Sequence, residues 1–166
     1  DKADIKLPES QMQYLRNLRK DNNNKIVTVI TRGGPVDMTE ISELSDAVVM
    51  AWYSGQEGGY ALGDLLFGDA NFSGRLPITF PVSTESLPAF EDYNMKGRTY
   101  KYMNDNIMYP FGYGLKYSTV RYSDTKILNP DSKGKGDILI EVLLSNDSNR
   151  EVDEVAQVYL SAPGAG

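Results

Sequence analysis

Apolar residues along the chain change their spacing several times, and each change marks an element. In LPESQMQYLRNLRK, Met12, Leu15 and Leu18 recur at helical spacing, with Pro8 and Glu9 in the first turn and Lys20 near the end. An Asn-rich stop, Asn22–Asn24, follows. Ile26, Val27, Val29 and Ile30 then form a β-branched run bounded by Gly33, Gly34 and Pro35. Such a continuous run predicts a strand buried on both faces, as parallel sheets require. A short helix over about Thr39–Leu44 precedes a second such strand in DAVVMAW. Ala61, Leu62, Leu65 and Leu66 mark one face of a third helix, which Gly68 ends as its C′ residue. RLPITFP, from Arg75 to Pro81, predicts a third strand that closes the sheet. Helix, strand, helix, strand, helix, strand is the α/β pattern, a mostly parallel sheet covered by helices.

From Ser83 to Pro110 no period holds, and the segment is rich in polar and aromatic residues. A stretch this long without a pattern is a functional loop or a linker. After Leu115 the spacing becomes two. Ile138, Ile140, Val142 and Leu144 share one side of DILIEVLLSND, and in EVAQVYLS Ala156, Val158 and Leu160 oppose Val155, Gln157 and Tyr159. These are expected to be half-buried antiparallel strands of a β-sandwich. About half of the roughly 100 residues such a sandwich needs follow Leu115. The expected division is therefore 1–82, part of an α/β unit; 83–115, an aromatic-rich loop or linker; and 116–166, an incomplete β-sandwich. The chain opens on DKADIKLP without an initiator methionine and closes on SAPGAG, the start of a loop, so it reads as a piece of something longer.

Composition narrows the chemistry. Of 166 residues, 40% are hydrophobic and 24% charged, as in globular proteins. No apolar run approaches the ~18 residues that span a bilayer, so no membrane partner is expected, and no segment reads as a signal peptide. The net charge of −6, from 17 basic and 23 acidic residues, is spread along the chain and argues against nucleic acid. There is no Cys and no His. That excludes thiol nucleophiles, Ser-His-Asp triads and Cys/His zinc sites, leaving carboxylates, Tyr, Lys, Arg and hydroxyls. Neither a cofactor nor a metal is expected. The absence of Cys leaves the compartment open.

Three motifs carry possible chemistry. RGGP, Arg32 to Pro35, follows a strand but lacks both the G-x-G-x-x-G spacing and the Walker lysine, so it reads first as a turn. WYSGQEGG follows the second strand and opens a helix, at the carboxyl end of the sheet where α/β proteins bind ligands. Trp52 and Tyr53 suit stacking on a sugar face, and Glu57 suits hydrogen bonds to hydroxyls or proton movement. Equally, Glu57 is a first-turn carboxylate favoured by the helix dipole. EDYNMKGRTYKY gathers two carboxylates, three Tyr, two Lys and an Arg, and includes Arg98 and Tyr100. It suits either a carbohydrate site or an interdomain loop that packs its rings and solvates its charges. Glycosidic cleavage needs two carboxylates about 5–10 Å apart, and composition singles out no such pair.

Taken in order, DKADIKLPESQ, VTVITRGGPVDM, DAVVMAWYSGQEGGYALGDLLFGDANFSGRLPITFP, GRTYKY and YPFGYGLKYS resemble glycoside hydrolase family 3, the β-glucosidase and β-xylosidase family. The resemblance runs to about Tyr122. It implies the later part of a three-layer α/β sandwich domain, followed by the first strands of an immunoglobulin- or fibronectin-III-like β-sandwich. Family members carry a (β/α)8 barrel with an Asp nucleophile ahead of the α/β domain, which supplies the Glu acid/base, and act by the retaining route. Asp1-Lys2 resembles the Asp-Arg of the family's Glu-Gly-x-Asp-Arg segment, which places the glutamate just upstream of residue 1. No catalytic residue is therefore expected in this chain, and Glu57 is not assigned the acid/base role. Trp52, Tyr53, Glu57, Arg98 and Tyr100 are the expected substrate-binding residues.

The implied partners are a β-linked gluco- or xylo-oligosaccharide and the barrel part of the same enzyme, in a bacterial secreted or periplasmic setting. Phe72 stands where the family usually has Pro, and Lys116-Tyr117-Ser118 replaces Ser-Tyr-Thr; both lie outside the expected chemistry. Two other readings remain: a non-catalytic carbohydrate-binding or assembly module of the same fold, and a nucleotide-binding α/β protein resting on RGGP.

Overall fold

The computed structural model describes residues 4–21, 23–129, 136–161 and 164. The Asp1-Lys2 pair, Asn22 and most of the SAPGAG tail lie outside them. Helix α1 (Glu9–Lys20) begins directly after Pro8, whose fixed φ of −55° sets the chain's entry, and carries Glu9 at its start and Arg19 and Lys20 at its end. Those charges complement the helix dipole. Strand β1 (Val27–Ile30), α2 (Thr39–Leu44) and β2 (Ala47–Met50) follow. β1 and β2 pair in parallel, with Val27 opposite Ala47 and Ile30 opposite Met50.

Met12 and Leu15 of α1, Ile26, Ile30, Val36, Met38, Ile41 and Phe80 form one buried core, with Leu18, Val48, Met50 and Trp52 packed at its margin. Phe80 and Val36 are fully enclosed. Asp46 joins the elements around that core. It accepts hydrogen bonds from Arg19 at the end of α1 (2.7 Å), from Lys25 (2.9 Å) and from the Ile26 backbone N–H (2.9 Å). The Arg19 hydrogen bond, then the Ile26 N–H and Lys25, hold its carboxyl well below the usual carboxylate range. A second tie runs between the helices, where Arg16 grips Glu40 through both carboxylate oxygens at 2.5 and 2.8 Å.

Helix α3 (Gly58–Phe67) ends at Gly68, whose φ of +83° is the left-handed cap that the sequence predicts. Strand β3 is only Phe80–Pro81, pairing antiparallel with β4 (Ile107–Tyr109). Between them lie a 3₁₀ turn at Thr84–Ser86 and the single-turn helix α4 (Thr99–Tyr102). Strands β5 (Val120–Ile127) and β6 (Ile140–Asn146) form an antiparallel hairpin with a register shift between Ser123 and Lys126. Among the described residues no helix is long and apolar enough to cross a membrane.

Four expectations change. β1 is not buried on both faces: Val27 and Val29 are exposed while Ile30 is buried, because among the described residues the parallel sheet has two strands and one covered face. RLPITFP does not join that sheet. Leu76 donates to the Tyr113 carbonyl and accepts from the Gly112 N–H, both at 2.8 Å, so its backbone is taken by the chain returning from β4. The apolar face of α3 buries no residue, and Leu66 is exposed, for want of a wider sheet beneath it. EVAQVYLS forms no strand; Glu154 instead pairs with Arg75 and Lys116, Gln157 lies against Gly112 and Tyr159 meets Tyr100.

Candidate functional site

The parallel register carries the ends of β1 and β2 to one edge, where the Ala51 N–H donates to the Ile30 carbonyl at 2.8 Å. Two turns leave that edge: Thr31–Pro35 after β1 and Ala51–Glu57 after β2. Trp52 sits in the left-handed region at φ +53°, a conformation that costs a non-glycine residue about 1–3 kcal/mol and needs support from its surroundings. The support is Phe80, which meets the indole edge-to-face at 6.3 Å and 89°. Tyr53 then projects outward, 75% exposed. Its ring crosses Gly33 so closely that a Cβ there would stand 2.7 Å from the ring. RGGP is thus a turn whose first glycine makes room for an aromatic ring.

The loop then closes onto α3. Gly55, at φ +73°, accepts from the Gly58 N–H at 3.3 Å, and a Cβ on Gly58 would lie 2.1 Å from Ser54 Oγ. Glu57 caps α3 through its backbone, its carbonyl accepting from the Ala61 N–H at 3.0 Å. Its side chain makes no capping bond and is exposed. An exposed phenol ring and an unengaged carboxylate therefore flank one short loop at the carboxyl edge of the sheet. Such a pair can stack on a sugar ring and accept hydrogen bonds from its hydroxyls.

Arg98 and Tyr100 are engaged elsewhere. The Arg98 guanidinium donates to the backbone carbonyls of Ala89 (3.0 Å), Asp92 (2.7 Å) and Asn94 (3.2 Å), pinning the preceding loop. Tyr100 stacks on Phe111 at 4.6 Å and meets Tyr159 edge-on at 5.9 Å. No hydrogen bond, ion pair or ring contact joins these two residues to Trp52, Tyr53 or Glu57.

A second constellation escaped the sequence reading. Arg75, Lys116 and Glu154 form a buried cluster with side chains 14%, 13% and 9% exposed. Arg75 bonds Glu154 Oε1 at 3.0 Å and donates to the Gly114 carbonyl. The Lys116 ammonium lies against Glu154 Oε2 as an ion pair without hydrogen-bond geometry. Burial, with the like charge of Arg75, pushes Lys116 below its ordinary range.

Beside the cluster, Asn71 accepts from the Tyr117 N–H at 2.9 Å and donates to Ser118 Oγ (2.5 Å) and the Glu151 carbonyl (3.0 Å). Gly68–Asn71 and Arg150–Asp153 line an open polar cleft of about 610 Å³. The sequence signal for this junction was GDANFSGR itself, whose Asn and Arg carry the contacts.

Residues 1–117 match the glycosyl hydrolase family 3 C-terminal domain. Among curated proteins, the chain is 37% identical over 161 residues to a xylan 1,4-beta-xylosidase of Xylanibacter ruminicola, covering 96% of this chain and 18% of that protein. It is 34% identical to the periplasmic beta-glucosidase of Salmonella typhimurium, covering 96% of this chain and 22% of that one. The chain thus spans about a fifth of the length of the curated relatives it matches. Among solved structures, beta-glucosidase 3B from Thermotoga neapolitana in complex with glucose superposes with a TM-score of 0.76 at 26% identity, over 90% of this chain and 23% of that one. The beta-glucosidase from Listeria innocua in complex with isofagomine gives a TM-score of 0.60 at 30% identity, over 75% and 19%. With an α/β arrangement in common and a family match across its first 117 residues, the chain belongs to glycosyl hydrolase family 3.

Proposed function

We propose that the chain is part of a retaining exo-β-glycosidase that removes terminal β-D-glucosyl or β-D-xylosyl residues. Family membership, with relatives named as a β-xylosidase and a β-glucosidase at more than 30% identity, carries this reading. In the retaining route one carboxylate attacks the anomeric carbon, and a second protonates the leaving oxygen and then activates water. The nucleophile is an Asp of a barrel, and the acid/base is a Glu a few residues upstream of Asp1. Trp52, Tyr53 and Glu57 contribute a wall of the sugar site. Arg98 and Tyr100 shape the neighbouring aromatic loop. Residues 1–82 belong to the α/β sandwich domain, 83–115 connect, and β5 and β6 begin a fibronectin-III-like sandwich. The apolar cross-strand pairs of the hairpin, Tyr122 with Leu144 and Ile127 with Ile140, support that assignment.

The test is hydrolysis of nitrophenyl β-glucoside and β-xyloside. The polypeptide at its natural length is expected to cleave at least one of them, and the 166-residue chain alone neither. Cleavage by the chain alone would refute this division of catalytic labour. An inert natural-length protein that still binds xylo- or cello-oligosaccharides would favour a non-catalytic binding module.

A further inference from the structure

Helix α3 is poorly equipped to hold itself. Three of its ten residues are glycines (58, 59 and 63), each costing about 1 kcal/mol of helix propensity relative to alanine. A helix this short is marginal in water even with good formers. It buries no residue, and no side chain caps its N-terminus. Yet that N-terminus carries Glu57 and the loop of Trp52 and Tyr53.

Its anchors are at the other end and come from far along the chain. The Tyr117 hydroxyl donates to the Leu65 carbonyl at 2.9 Å, and Arg150 Nη1 donates to the Gly68 carbonyl at 2.5 Å. Helix C-termini leave carbonyls without intrahelical partners, and a cation there also complements the dipole. Arg150 further lies over the Tyr117 ring at 5.6 Å, and Phe72 braces that ring at 5.5 Å. The two anchors therefore act as one assembly. Both come from the part of the chain that follows Gly114.

From this we infer that Arg150 and Tyr117 are positioning residues for the sugar-facing loop. By fixing the carboxyl end of α3 they keep the helix folded over its ~15 Å length, and so hold Glu57 and Tyr53 at its amino end. The segments that flank the β5–β6 hairpin, Tyr117 before it and Arg150 after it, become working parts of the candidate site rather than an appendage. The inference rests on the proposed function only for the role of that loop; the mechanical coupling stands apart from it.

The experiment uses the natural-length polypeptide and its Arg150→Met, Arg150→Lys and Tyr117→Phe variants. Hydrogen exchange is followed at the α3 amides of Ala61 to Leu65, with α1 as internal control. Arg150→Met is expected to speed α3 exchange about tenfold, the equilibrium equivalent of one hydrogen bond to a charged donor, while α1 is unchanged. Arg150→Lys should restore most of the protection, and Tyr117→Phe should reproduce part of the loss. On a nitrophenyl glycoside, Arg150→Met should raise KM severalfold with kcat held within about twofold, the mark of lost binding without lost chemistry. Unchanged α3 exchange, or equal acceleration in α1, overturns the inference. An inactive parent defeats the enzyme reading alone, and exchange then decides this one.

Discussion

Replacing Glu154 by Gln and, separately, Lys116 by Met asks whether charge balance holds the buried cluster together. Two cations and one carboxylate give it a net charge of +1 (2 − 1). Glu154→Gln raises that to +2 and leaves Arg75 and Lys116 facing each other without an anion. Lys116→Met lowers it to zero and keeps the 3.0 Å pair of Arg75 and Glu154. Removing one partner of a buried pair costs about 3–5 kcal/mol, because the charge left behind stays desolvated. With side chains 9–14% exposed, the lower end applies to Glu154→Gln, about 3 kcal/mol. In a chain of this size that is a fall in Tm of roughly 6–12 °C. An apolar replacement of the surplus cation is expected to be near neutral, within about 1 kcal/mol.

Thermal unfolding at pH 7, followed by circular dichroism, compares the two variants with the parent and the double variant. The double variant should recover part of the Glu154→Gln loss, since it removes one of the two stranded cations. If Lys116→Met costs as much as Glu154→Gln, charge balance does not govern the cluster, and the argument fails.

Two further predictions concern folding alone. Asp46 has a folded-state pKa depressed chiefly by Arg19, so its contribution is full above the unfolded value near 4 and is lost as pH falls below it. Urea midpoints measured from pH 5 to pH 2 should therefore fall more steeply for the parent than for Asp46→Asn. Gly68→Ala places a Cβ at φ +83° and 3.1 Å from Arg150 Nη1, and should cost about 1–2 kcal/mol. Gly63→Ala, with no atom within 4 Å of the new Cβ and an ordinary φ, should instead stabilise by about 0.5–1 kcal/mol. Denaturant midpoints of the two variants should move in opposite directions.

The elements up to Gly68 were legible because each has a local signature: the helical spacing of Met12, Leu15 and Leu18, the β-branched run before Gly33, and the glycine stop after Phe67. β5 was not legible, and its bulge explains why. Tyr122 pairs with Leu144, but after the irregularity around Asp124, at φ +51°, Ile127 pairs with Ile140. The positions that share one face switch from even to odd numbers, and a period of two disappears. EVAQVYLS erred the other way. Its alternation is real, but Glu154 serves the buried cluster, Gln157 lies against Gly112 and Tyr159 meets Tyr100, while Val158 and Leu160 stay exposed, so among the described residues no neighbouring strand uses the pattern. The cluster itself joins residues 79 positions apart, and no local pattern carries that information. The Trp52–Glu57 loop takes its place in the sequence from the β-branched run before it, and it leaves the carboxyl end of β2 as that place predicts. That Arg98 would spend its donors on backbone carbonyls could not be read, because a guanidinium looks the same in sequence whether it binds a ligand or a loop.

The crossing of Tyr53 over Gly33 has a consequence for how this surface can change. A methyl group at position 33 would collide with the outer edge of an exposed ring, not with backbone or core. The ring can swing into solvent at little cost, so the protein would keep its shape while the phenol lost its stance. Positions 33 and 53 therefore form a separable pair. One substitution in that turn would free the Tyr53 ring from its stance and leave the scaffold intact.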